Sequence, residues 1–300
     1  MRALFGITLN TFREAVRQPF FHLLVAAGAA ALLVILHLPL FTLSPETDTD
    51  MYKDLGLSFV LLFVLLAGLL AAATGVAREV EDKTAHTILS KAVGRWQFVL
   101  GKYLGAMGAV ALAAAVLGLV FAVCVYYRVQ LDLTMGHSHG HQHVLTGVGA
   151  EVEAFKSRQL NQAMTVVPGL VLVFLQVAVL AAVATAVSTR LSVTASVGLS
   201  LAVFVAGHLA VFLGTATQAS GGVLAALAQA AMTLVPSLEV FNINQMLSHA
   251  VLTPLAEGGV AASEWWAVWS YVGLTAVYAV VYAAAAIGLG VLLFRRRALA

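Results

Sequence analysis

The sequence predicts an all-α polytopic membrane protein with six transmembrane helices, and three observations predict it. Of the 300 residues, 61% are hydrophobic and only 10% are charged. A soluble domain carries about 25% charged residues, so this chain cannot cover a water-facing surface and lipid is its solvent. Six apolar runs are long enough to cross a bilayer, which takes roughly 20 residues: 20–41, 55–77, 99–127, 164–187, 194–214 and 265–294. Finally, the basic residues sort onto one side of the spans, as the positive-inside rule requires.

Residues 1–18 come first. Leu4, Phe5, Thr8, Leu9, Phe12, Ala15 and Val16 fall on one half of a helical wheel, and Arg2, Asn10, Arg13, Glu14 and Arg17 on the other, with Ala3 and Ile7 off the pattern. This is a basic amphipathic helix suited to the membrane interface. Pro19 ends it before the first span. That span follows a polar, basic stretch and lacks a small-residue cleavage pattern, so it reads as a mature helix and not a signal peptide. The third and sixth spans exceed the bilayer and tilt or extend past it.

Segment 78–98, between spans two and three, is the most charged in the chain. Acidic residues lead and basic residues follow, which suits a helix dipole. Val80, Thr84, Ile88 and Leu89 share a face. Gly94 reads as a helix stop, with Arg95 and Trp96 anchoring re-entry. Physical reasoning alone leaves two readings open: a short helix pinned between spans, or a solvated turn.

The loop 128–162 contains His137, His139, His141 and His143. Alternate residues of an extended chain share a side, and neutral imidazole ligates zinc or copper. The flanking glycines make ordering costly, so a hydrophilic loop with chance histidines stands beside the metal reading. Region 215–264 holds a Gly/Ala-rich run, 221–235, that is short for a span and stops at Pro236. It reads as a re-entrant or interfacial helix before span six. His37, Gln176 and His208 are polar residues inside apolar runs, and such residues face a bundle interior or a path. The one cysteine, Cys124, reads as a small buried hydrophobe. Gly101 and Gly105 form a G-x-x-x-G packing surface.

With the N-terminus inside, inner segments hold twelve of the 16 Lys and Arg residues, and outer segments hold Lys53, Arg128, Lys156 and Arg158. Ten of the 14 acidic residues lie outside. Trp96 sits at an inner boundary and Trp265, Trp266 and Trp269 at the outer one, as an aromatic belt requires. Both termini are therefore placed in the cytoplasm of a bacterial inner membrane. No G-x-x-x-x-G-K-[ST], G-x-S-x-G or H-E-x-x-H occurs, and no paired intramembrane carboxylates. The chain is expected to hold no nucleotide, to have no catalytic residues, and to bind no nucleic acid.

The charged segment resembles the coupling region of type-2 ABC transporter permeases, whose pattern is roughly E-x-E-x-G-T-x-x-x-L-L-S-x-P-V-S-R-x-x-x-x-x-G-K. Glu79, Glu81, Thr84, Ile88, Leu89, Ser90, Val93, Arg95, Gly101 and Lys102 fall in register. Lys83, Ala92 and Gly94 depart from it, replacing a glycine, a proline and a serine. The amphipathic start resembles that family's elbow helix, and the six spans and the outer helix before the last span match its layout. Residues 234–242 resemble the P-N-L-x-x-F segment of the multicopper-enzyme-maturation branch, related to the nitrous oxide reductase permease, with Ser237 for the asparagine. The resemblance implies a single permease domain over 1–300. It implies a separate cytoplasmic ATPase dimer carrying ATP and Mg, touched by Glu79, Glu81, Lys83, Thr84, Ile88, Leu89 and Arg95. It further implies a second permease copy, identical or related, and is compatible with a periplasmic accessory protein. Two other readings remain: a secondary divalent-metal transporter with an outer histidine loop, and a membrane assembly factor that transports nothing.

Overall fold

The structure is a computed structural model, and its description covers residues 2–37, 45–81, 94–136, 160, 162–220, 235–242 and 262–297. Among the described residues there is no strand. The described helices are α1 (Arg2–Arg17), α2 (Pro19–His37), α3 (Pro45–Glu81), α4 (Arg95–Gly136), α5 (Val166–Val187), α6 (Val193–Ser220) and α7 (Ala262–Arg297), together with the 3₁₀ turn Leu238–Phe241.

Helix ends fall where the local chemistry puts them. Gln18 is a single bent residue between α1 and α2, and Pro19 opens α2 at the position where a missing N–H costs nothing. Gly94 immediately precedes α4 and caps it, while the segment 82–93, whose end it was read to mark, lies outside the described residues. The Gly94 carbonyl accepts from the N–H of Gln97 and Phe98, and its own N–H donates to Gln97 Oε1 at 3.1 Å. That reciprocal contact is the glutamine half of a capping box.

Among the described residues, five helices are long and apolar enough to cross a membrane: Pro19–His37, Met51–Glu79, Arg95–Arg128, Gln162–Val187 and Trp265–Phe294. The sixth expected span corresponds to α6, whose described apolar part, Val193–Leu209, is shorter than a full span although the helix runs for 28 residues. The second span begins earlier than its apolar run. Helix α3 reaches back to Pro45 through an acidic turn that hydropathy alone reads as loop. Residues 215–220 extend α6 and 262–264 open α7, so the region assigned to a separate outer helix is narrower than 215–264. Its run 221–234 lies outside the described residues.

Helices α3, α4 and α5 form the centre, with α2 against α3 and α4, α6 against α3 and α5, and α7 against α5 and α4. Burial follows this order: 67% of the apolar window of α5 is enclosed, against 28% for α2 and for α7. Outer helices can leave leucine and valine exposed only if hydrocarbon covers them. On α7, Leu274, Val277, Val280, Val281, Leu289 and Leu292 are all more than half exposed. Close approach in the centre depends on glycine. A Cβ at Gly68 of α3 would lie 2.8 Å from both Val110 and Val177. Cys124 is buried, as expected.

Candidate functional site

The connections bring one set of helix ends together. At that end Phe98 of α4 stacks on Phe294 of α7 with ring centroids 5.6 Å apart. The Arg190 guanidinium, in the short link between α5 and α6, donates twice to the Leu293 carbonyl at 3.0 and 2.7 Å. A cation near the C-terminal end of a helix is favoured by the helix dipole. Arg78, Arg95, Lys102 and Arg190, all expected on the inner side, therefore gather at one end of the bundle, where the backbone of Arg295–Arg297 also ends.

Helix α1 reaches this end from the side. It lies along α4, seated on glycines spaced four and three residues apart. A Cβ on Gly101 would meet Ile7, one on Gly105 would meet Thr11 Cβ at 2.5 Å and Thr8 O at 2.7 Å, and one on Gly108 would meet Phe12 at 2.9 Å. The face against α4 is thus Leu4, Ile7, Thr8, Thr11 and Phe12. Ile7, off the sequence wheel, belongs to the contact, whereas Phe5 is 70% exposed. The helix has two apolar edges, one for protein and one for lipid. Gln18 adds a hydrogen bond to Thr74 of α3 at 3.3 Å.

Lys102 is the joint between these three elements. It is 3% exposed, lies 2.5 Å from Glu79 Oε1 and 3.9 Å from Glu14 Oε2, and sits over the Phe98 ring. An ammonium so enclosed persists only with carboxylate partners. Glu79 belongs to the charged segment 78–98 and stands two residues before the end of α3. The sequence offered one signal for Lys102, the terminal G-K of the permease pattern, but no role and no partner, because 23 residues separate it from Glu79. Glu81 closes α3 and Arg95 opens α4. Lys83, Thr84, Ile88 and Leu89 lie outside the described residues, as does the side chain of Glu81.

The opposite end is held by different chemistry. Arg128 is buried and its Nη1 donates to Leu36 O at 2.9 Å, on the last turn of α2. The Tyr52 hydroxyl donates to Leu32 O at 3.3 Å, and the Lys53 ammonium donates to Gln162 Oε1. Lys53 and Arg128, two of the four cations expected on the outer side, thus join helices together. The run His137–His143 lies outside the described residues.

A second polar cluster lies within the apolar length of the bundle. Gln176 of α5, 4% exposed, and His208 of α6 approach to 3.4 Å between Nε2 atoms, while His208 Nδ1 is 2.9 Å from Phe204 O. With its proton on Nδ1 the imidazole donates to Phe204 O and accepts from the Gln176 amide. Beside His208, Gly207 leaves room for Leu238 and the Pro236 carbonyl. The 3₁₀ turn is fastened to α7 by Tyr271, whose hydroxyl donates to Val240 O at 2.7 Å, and by Tyr278, whose hydroxyl accepts from Ser237 N at 3.0 Å. Gly207 is 14 residues into α6, roughly 21 Å along the axis. Non-helical backbone at such depth is tolerated only inside protein or along a wet cavity, and Leu238 and Phe241 are buried. His37 is elsewhere, exposed on the last turn of α2.

No curated protein matches the chain. The profile of the ABC-2 family transporter proteins matches residues 20–287, from the first helix of the bundle into the last. A multi-pass helical bundle with its cationic helix ends on one side, matched over most of its length, belongs to the ABC-2 transporter family: the chain is a membrane permease component of an ABC transporter, of a family that works with a cytoplasmic ATPase subunit.

Proposed function

We propose that the chain is a six-span permease whose termini lie in the cytoplasm and whose segment 78–98 receives the motion of a separate ATPase dimer. The observation that carries this is the Lys102–Glu79 pair, with Glu14 close by. A displacement of the segment after α3 acts first on Glu79, then through Lys102 on α4, and on the α1 helix seated against it. Glu79 is 20% exposed and engaged with Lys102, so the direct grip on the ATPase falls to Glu81, Lys83, Thr84, Ile88, Leu89 and Arg95. A second copy of the permease completes the assembly. Gln176 and His208 line the route that opens between α5 and α6, and the 3₁₀ turn closes it from above.

Glu81→Lys separates docking from the internal pair. Purified from mild detergent, the wild-type chain is expected to bring down a nucleotide-hydrolysing subunit. The variant is expected to insert normally and to lose most of that subunit. Unchanged capture would remove segment 78–98 from the interface. Isothermal titration of Zn²⁺ or Cu²⁺ against the wild type and a variant with His137, His139, His141 and His143 replaced by serine tests the metal reading. Identical isotherms end it.

A further inference from the structure

Between the start of α4 and the second half of α7 runs a groove of about 540 Å³, lined by Trp96, Leu100 and Tyr103 on one side and by Ala284, Gly288 and Leu292 among others on the other. That volume is within the roughly 300–1,000 Å³ of small-molecule sites, but this lining offers almost no polarity. The Tyr103 hydroxyl is spent on Ala178 O at 3.2 Å. The groove is separate from the Gln176–His208 cluster, and it opens sideways: Trp96, Val280 and Leu292 are each more than half exposed. Its floor is closed by Ala283 and Ile287.

We infer that this groove holds one acyl chain of an anionic phospholipid from the leaflet at the cationic end of the bundle. Three observations favour that occupant. The lining residues of α7 run from Val280 to Leu292, roughly 18 Å of helix, which matches the depth of one leaflet of a core about 30 Å thick. The mouth lies where α4 begins with Arg95 and Trp96, and where α7 continues one turn past Leu292 into Arg295, Arg296 and Arg297. Cations and an indole at that level suit a negatively charged headgroup. No carboxylate is among the residues that line the groove, so nothing in the lining repels an anionic headgroup.

Gly288 provides the test, because a Cβ there meets nothing within 4 Å. Gly288→Trp fills the groove without displacing the backbone, and Ala284→Leu, also at an exposed position, is a milder second filling. The full chain is equilibrated with equal phosphatidylglycerol and phosphatidylcholine of matched chains, and retained lipid is counted by native mass spectrometry. The wild type is expected to keep phosphatidylglycerol several-fold over phosphatidylcholine, and both fillings to lower the retained lipid several-fold at unchanged melting temperature. Arg95→Gln with Arg296→Gln is expected to bring the ratio of the two lipids toward one. Equal retention of both lipids by the wild type overturns the inference, as does full retention in both filled variants. Loss of a dimer in the filled variants, with lipid unchanged, would assign the groove to a second copy of the chain and overturn it equally.

Discussion

Lys102 and Arg128 are both buried cations on α4, near opposite ends of its membrane-crossing length, and they are used differently. Arg128 binds a backbone carbonyl on the last turn of α2. That contact completes a helix terminus and locks two helices in register. Lys102 binds carboxylates carried by two other helices, one of them Glu79, which belongs to the charged segment 78–98. A bond to a carbonyl is fixed as long as the helix is intact. A pair of side-chain charges on separate helices can transmit a shift between them or break. One end of the bundle is therefore fastened and the other jointed, and variants separate the two roles.

The largest effect is expected at Lys102. Lys102→Met leaves Glu79 partly buried and without this cation, a loss of about 3–5 kcal/mol by analogy with broken buried pairs. Thermal unfolding in detergent should show it, and Glu79→Gln added to Lys102→Met should recover much of the loss. Next is the α1 seat. Gly105→Ala drives a methyl into Thr11 and the Thr8 carbonyl, costing about 1–3 kcal/mol and exposing α1 to protease. Gly198→Ala, with open space around it, should change nothing, and an equal effect at both positions would discard the seat. Arg128→Gln should cost about 1–3 kcal/mol in melting experiments while leaving ATPase capture intact, and a variant that melts normally but loses capture would invert the comparison. The smallest effects belong to the 3₁₀ turn. Tyr271→Phe and Tyr278→Phe each remove one hydrogen bond, about 0.5–1.5 kcal/mol, and hydrogen exchange at Ser237–Asn242 should speed up.

Much of the fold was legible because hydrophobic length and charge sorting are properties of a single segment. The spans, the amphipathic start and the break at Pro19 needed only local pattern. The start of α3 did not show, because Glu46, Asp48, Asp50, Lys53 and Asp54 interrupt the apolar run and hydropathy reads them as loop. Ile7 was misplaced because a wheel assumes one apolar face, while α1 has a glycine groove on one side and lipid on the other. Of the polar residues in the spans, Gln176 and His208 proved to be partners 32 residues apart, and His37 proved unrelated to them. The sequence shows that such residues are costly in lipid, not which ones meet. The role of Lys102 escaped notice for the same reason, since its partners lie on helices that only the folded chain brings together.

The most direct test is ATP hydrolysis by the complex in lipid nanodiscs, comparing the wild-type permease with the Glu79→Gln, Lys102→Met pair variant at equal ATPase content. If motion passes through that joint, the variant assembles with its ATPase, and the wild type's effect on hydrolysis drops several-fold. Hydrolysis identical in the two complexes, with assembly equal, would contradict the account.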